Sequence, residues 1–348
     1  MRIFAMQYAF HFLTIESTMK DIHVCGIGHA LVDIEFAIDE HTFNDLGLTK
    51  GSMSLVSEED QSKVISTLSD RSHHRSSGGS AANTIIAIGQ FGGKAAYKTI
   101  LGDDPLGEFY AQEFRDLGII LDAEIKEHSK TGTCLVLITP DAERTMMTSL
   151  GVNSTYNRDH LVEETISRSE WLYVEGYRLT EPGGADAIKE AVIIAKKHDT
   201  KIAFTYSDSF VVNAFRDIVD EISSFTDLVF CNDSEAMAYT KTDNHEEAFR
   251  LLNERFPHTV MTRGKHGSEL LVKGERHTIP AYSITAVDTT GAGDMYAGGF
   301  LYGITQGYSV LRSGHLASYS SSRVVSQFGA RLKESPAELH DSIIAKFA

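Results

Sequence analysis

The residues best equipped for chemistry lie in Asp288-Thr289-Thr290-Gly291-Ala292-Gly293-Asp294, followed by Met295-Tyr296-Ala297-Gly298-Gly299-Phe300. Gly291, Ala292 and Gly293 leave three backbone N–H groups unobstructed where a helix begins, with Met295, Tyr296, Phe300, Leu301 and Ile304 as its apolar positions. A helix N-terminus presents unpaired donors and roughly half a positive charge. The segment therefore reads as an anion hole suited to a phosphoryl group, whose charge spreads over its oxygens in transfer. Asp294 follows directly, placed to take the proton of a hydroxyl lying between its carboxylate and the phosphorus; base catalysis of this kind is worth about 10²- to 10⁴-fold. Taken alone, the same residues also read as a glycine turn and a helix-terminal charge.

A second segment, Ser77-Gly78-Gly79-Ser80-Ala81-Ala82-Asn83-Thr84, again sets small residues at a helix start, with Ile85, Ile86, Ile88 and Phe91 as a packing face. Bare backbone at Gly78 and Gly79 can approach a polyol closely, and Asn83 can both donate to and accept from hydroxyls. Asp33, just past the first strand, could accept from two vicinal hydroxyls; by itself it is also a turn residue. Gly78-Gly79-Ser80 resembles a hydrolase nucleophile elbow, but Arg71–Ser77 reads as an exposed polar loop and not as the strand such an elbow requires. Gly26-Ile27-Gly28 lacks the third glycine of a dinucleotide fingerprint, since position 31 is Leu and no crossover helix follows. The P-loop pattern Gly-x4-Gly-Lys-Ser/Thr occurs nowhere, and His73, His74 and the other histidines lack zinc-ligand spacing.

These segments need elements to hold them. Strand patterns at Ile22–Gly26, Ala95–Ile100, Trp171–Glu175, Ile202–Tyr206, Leu228–Cys231 and Thr259–Thr262 alternate with helical ones at Ala81–Phe91, Gly107–Leu117, Ala185–His198, Ser234–Thr240 and Glu246–Phe256. Strand, helix, strand is the rhythm of an α/β fold with a mostly parallel central sheet. Two stretches, about 34–56 and 124–150, carry strand-like pieces without crossover helices and suit a small sheet that is either a lid or an edge extension. Residues 19–348 read as one domain, with Met19-Lys20-Asp21-Ile22 leading into the first strand and residues 1–18 as an N-terminal extension.

The formal charge of −16 excludes the basic stripe of a nucleic-acid or anionic-membrane surface. No apolar run approaches the roughly 20 residues that span a bilayer. Cys25, Cys134 and Cys231 are odd in number and far apart. They read as buried hydrophobes in a reducing, cytoplasmic setting.

Asp288–Phe300, together with Gly78–Gly107 including Gly92-Gly93 and Gly102-Asp103-Asp104-Pro105-Leu106-Gly107, resembles the two signature motifs of the ribokinase (PfkB) family of carbohydrate and nucleoside kinases. The likeness runs from about Ile22 to Arg331. It implies a three-layer α/β/α domain with a β-sheet lid, and γ-phosphoryl transfer from Mg-ATP with Asp294 as base and Gly291–Gly293 as anion hole. Asn232-Asp233-Ser234-Glu235 is similar to the family's Asn-x-x-Glu element, which implies a water-mediated magnesium contact for Glu235; Asn232 also reads as a helix cap. Thr262, Gly264 and Gly267 resemble the nucleotide loop, and Lys265 there reads as a solvated charge. A potassium ion near Asp288 and Thr290, closed by Gln327–Arg331, is implied as well.

Gly28–Asp33, Gly47–Gly51, Thr131–Cys134, Thr139–Thr145 and Tyr173–Tyr177 look most like the adenosine-kinase branch, implying that Asp33 holds ribose 2′- and 3′-hydroxyls while the 5′-hydroxyl meets Asp294. His29 stands where that branch often has Asn and reads as a structural histidine. A ribokinase- or fructokinase-type acceptor and a non-catalytic ligand sensor are the alternatives. A lid sheet can pair with its twin in a homodimer.

Overall fold

The computed structural model describes residues 19–141, 143–334, 336–339 and 345; the expected extension 1–18 lies outside the described residues. Fourteen strands follow in chain order: β1 (Ile22–Ile27), β2 (Leu31–Ala37), β3 (Met53–Leu55), β4 (His74–Gly78), β5 (Ala95–Gly102), β6 (Ile120–Lys126), β7 (Gly132–Ile138), β8 (Arg144–Ser149), β9 (Ser169–Glu175), β10 (Lys201–Thr205), β11 (Leu228–Asn232), β12 (His258–Thr262), β13 (Ser268–Val272) and β14 (Glu275–Ile279). Nine of them form one sheet in the order β14-β13-β12-β11-β10-β9-β1-β5-β6. It is parallel from β12 to β6 and ends in the antiparallel pairs β12/β13 and β13/β14.

Continuous apolar strands bury both faces of such a sheet. Trp171 and Tyr173 of β9 join a core with the helices Ser80–Gln90, Ala292–Thr305 and Val310–Val325, while Leu172 and Val174 turn to the helices Pro182–Lys197 and His245–Arg255. This is the expected three-layer arrangement. The cysteines are buried and unpaired, as expected, and burial pushes the Cys25 and Cys134 thiols up to about 12. No described helix is long and apolar enough to cross a membrane.

The second sheet has the order β3-β8-β7-β2-β4. Three expectations need correction here. Arg71–Ser77 is a loop only to His73: His74–Gly78 pairs antiparallel with β2, because the polar run is an edge strand with its first residues exposed. Glu124–Lys126 belongs to β6 at the edge of the large sheet, paired with Ile100–Gly102. The stretch 34–56 contains a short helix, Glu40–Asp45, capped by the Asp39 side chain. After Gly28 the chain enters β2 and not a helix, which disposes of the dinucleotide reading.

Candidate active site

In a parallel sheet, ligands gather beyond the carboxyl ends of the strands. Gly28 after β1, Glu175 ending β9, Asp208 after β10, Asn232 ending β11 and Thr262 ending β12 all stand at that edge. Two helices enter it. Gly291, at φ 71°, caps Ala292–Thr305, and Gly79, at φ 103°, precedes Ser80–Gln90; both φ values lie where a side chain is strained. The helices nearly touch: a Cβ on Gly298 would stand 2.6 Å from Ala87 Cβ and 2.8 Å from the Thr84 carbonyl oxygen.

That close crossing brings the candidate base together with side chains of the other helix. Ser80 Oγ donates to Asp294 Oδ1 at 2.7 Å, Asn83 Nδ2 donates to Asp294 Oδ2 at 3.2 Å, and Thr84 Oγ1 donates to the Asp294 backbone oxygen at 3.2 Å. Burial pushes the Asp294 carboxyl up to about 7 against these bonds, and the Glu175 charge adds to the rise. Asn83 Oδ1 is buried with no partner, an acceptor left over for a hydroxyl. Asp33, on β2, lies against Gly78, where any Cβ would overlap its carboxylate. Burial raises it to about 7, Arg331 and Arg144 pull it down, and Glu35 and Asp294 push it up. Asp33, Gly78, Gly79, Asn83 and Asp294 therefore form one constellation. Ser80 is spent on Asp294 and no histidine is bonded to it among the described residues, so the elbow reading fails on its partners even though a strand precedes it.

On the other side of the anion hole opens a cavity of about 550 Å³, lined by Thr262, Gly264, Lys265, Gly267, Tyr282, Ala292 and Gly293 among others. Lys265 thus faces a ligand space. Asn232 and Glu235 form a capping box: Asn232 Oδ1 accepts the Glu235 N–H at 2.8 Å, and the Glu235 carboxylate accepts from Asn232 N and Nδ2 at 3.1 and 2.7 Å. Burial raises Glu235 to about 7 against the Asn232 backbone bond, and the charges of Asp208, Asp294 and Asp233 contribute. Such mutual repulsion suits a divalent cation held through water. Among the described residues, no three His, Cys, Asp or Glu side chains converge to cage a metal unaided.

Asp288 fits its expected ion poorly. Its Oδ1 accepts the Thr290 N–H at 3.0 Å and its Oδ2 accepts the Gly329 N–H at 2.8 Å, while Arg144 Nη2 stands 2.7 Å from the same Oδ2. The loop Gln327–Arg331 does close there, but a guanidinium already balances the charge.

Sequence reasoning gave no role to Arg144 or Asp208 and met Arg331 only as the end of the loop Gln327–Arg331. Arg144 joins β8 to Glu35 at 3.3 Å and to Asp288, tying the small sheet to the anion-hole loop. Arg331 bonds the Ser77 carbonyl and lies 3.4 Å from Glu113, which also accepts from Ser77 N at 2.6 Å. The signal for Arg144 was a lone cation in an otherwise neutral strand; Arg331 and Asp208 had none beyond position after a helix and after a strand.

A three-layer α/β domain with a second small sheet, an anion hole at a helix N-terminus and a buried carboxylate beside it defines a phosphotransferase acting on an alcohol group. Residues 47–337 match the model of the pfkB family of carbohydrate kinases, and the chain belongs to that family. Its fold is ribokinase-like. A probable sugar kinase from Rhizobium etli superposes with a TM-score of 0.86 at 31% identity, covering 95% of this chain and 100% of that one. The adenosine kinase of Sinorhizobium meliloti gives 0.84 at 33% identity over 92% and 98%. Adenosine kinase 1 of Arabidopsis thaliana is 23% identical over 335 residues, 89% of this chain and 96% of the relative.

Proposed function

We propose that the chain transfers the γ-phosphoryl group of Mg-ATP to the primary hydroxyl of a nucleoside, the 5′-hydroxyl of adenosine, in the cytoplasm. The observation that carries the reading is the Ser80–Asp294–Asn83 group beside the bare turn Gly291–Gly293. Asp294 accepts the acceptor's proton, the Gly293 amide holds the transferring phosphoryl while the Ala292 N–H closes the turn on the Thr289 carbonyl at 3.2 Å, and Asp33 with Asn83 fixes the acceptor. Thr262, Gly264, Gly267 and Lys265 flank the nucleotide, and Glu235 with Asn232 would hold magnesium through water, which would supply charge neutralisation at the phosphates. The small sheet acts as the lid that excludes water. Its exposed β3, with Met53 and Leu55, is the edge a homodimer would use.

Adenosine kinases among the relatives favour the nucleoside. A free sugar is the second reading, favoured by the likeness to the probable sugar kinase of Rhizobium etli. The test is an ADP-release screen of nucleosides and sugars with and without potassium. Asp294→Asn should lower kcat at least about a hundredfold with little change in either KM. Normal ligand binding by that variant, with no turnover by the parent on any acceptor, would favour a sensor.

A further inference from the structure

We propose that His29 is a positioning residue: as an imidazolium clamped between Glu175 and Glu181, it holds Glu175 where that carboxylate anchors the helix carrying Ser80 and Asn83, and through them Asp294. The proposal rests on the kinase reading for its catalytic consequence, though not for its chemistry.

The geometry fixes the protonation state. His29 Nδ1 lies 2.7 Å from Glu175 Oε1, and Nε2 lies 3.1 and 3.2 Å from the two oxygens of Glu181. A neutral imidazole has one donor nitrogen and one lone pair. Whichever nitrogen carried the lone pair would point it at an anionic oxygen, so two carboxylates at opposite nitrogens require two N–H bonds. Glu181 does not relieve this by taking a proton: burial raises it, but His29, Arg178 and the Thr180 hydroxyl bring it below its ordinary value. Burial and the Arg178 charge act to lower the His29 pKa, and the bonds to both glutamates outweigh them and leave it raised.

Charge balance agrees. Glu175 and Arg178 are fully buried and His29 is 5% exposed. Arg178 Nη1 is 3.7 Å from Glu181 Oε2, and its two Nη groups donate to the carbonyls of Asn153 and Gly28 with the guanidinium over the Tyr156 ring. Tyr97 faces the group from β5 through its hydroxyl, which donates to the His29 carbonyl. Two carboxylates and two cations make a neutral quartet only if His29 is charged; a neutral ring leaves an uncompensated negative charge in the interior.

The link to the site is short. Glu175 Oε1 also accepts the His29 N–H at 2.8 Å, and Oε2 accepts the N–H of Ala81 at 2.8 Å, in the first turn of Ser80–Gln90. A Cβ on Gly28 would overlap this carboxylate and one on Gly79 would overlap the His29 carbonyl, so the quartet is the floor under the Gly78-Gly79 cradle. Rotation of Glu175 would release the turn that aims Ser80 and Asn83 at Asp294.

Ring ¹⁵N spectra, assigned by comparison with His29→Asn, read the protonation directly: both His29 nitrogens should be protonated near pH 7.5. His29→Asn, left with a net negative charge, should lose about tenfold in kcat and melt lower, with KM for MgATP unchanged within about twofold. His29→Asn/Glu181→Gln, neutral again, should regain most of the turnover and the melting temperature. An unprotonated ring nitrogen at that pH, or a double variant no better than the single one, overturns the proposal. Should the parent phosphorylate nothing, the function proposed above fails, and the spectra and melting temperatures still decide the quartet.

Discussion

At the scale of single residues the site is a set of carboxylates kept from water. Asp294 must be ionised to accept a proton, and burial lifts it to about 7. The kcat/KM profile for the acceptor should therefore rise with pH to a midpoint near 7 and flatten above it; a midpoint in the ordinary carboxylate range would show that burial does not raise the essential base of the free enzyme. Asp33 makes a separable prediction. Asp33→Asn should raise the acceptor KM at least about tenfold, because one oxygen that accepts from a hydroxyl is lost, while kcat falls less. An unchanged acceptor KM would remove Asp33 from the binding site.

At the scale of elements, glycines decide how closely the parts approach. Gly298 lets Ala292–Thr305 lie on Ser80–Gln90, and Gly299 does the same against Val310–Val325, where a Cβ would be 3.0 Å from Ala317 Cα. Gly298→Ala should cost about 1–3 kcal/mol by overpacking and lower kcat, since the side chains bonded to Asp294 ride on the displaced helix. Gly293→Ala is the contrast: a Cβ there meets nothing within 4 Å. Its melting temperature should stay at the parent value while KM for MgATP rises, because the methyl intrudes at the rim of the nucleotide cavity. Thermal melts and initial rates on the two variants distinguish packing from occupancy.

For the whole molecule, Asp33, Asp294 and Glu235 are each raised to about 7, and the Asp294 charge contributes to the rise of the other two. Between the ordinary carboxylate range and pH 7 the folded chain thus binds more protons than the unfolded one, so these groups withdraw stability as pH rises through that window. His29, raised as well, acts in the same direction above its unfolded value, while His23 and His258, lowered by burial, oppose it. The unliganded protein should melt lower at pH 8 than at pH 6, and Asp33→Asn should narrow the gap. Calorimetry at the two pH values checks both.

Much of this was legible in the chain. The small-residue turns at 78–80 and 291–293, and the period change from strand to helix, follow from local stereochemistry: glycine admits positive φ, and apolar spacing declares which face is buried. Hence the layers, and Asp294 and Asn83 at two helix starts, could be placed from sequence, whereas a nucleotide role for Thr262, Gly264 and Gly267 came only from the family resemblance. The polar run His74–Gly78 could not be read as a strand, because edge strands lack the apolar alternation by which strands are recognised. The Arg144–Asp288 pair and the His29 quartet were equally hidden, since residues over a hundred positions apart meet only when β2, β8 and β9 take their places in two different sheets. Local propensity depends on neighbours in sequence; charge compensation depends on neighbours in space, and only the tertiary structure supplies those.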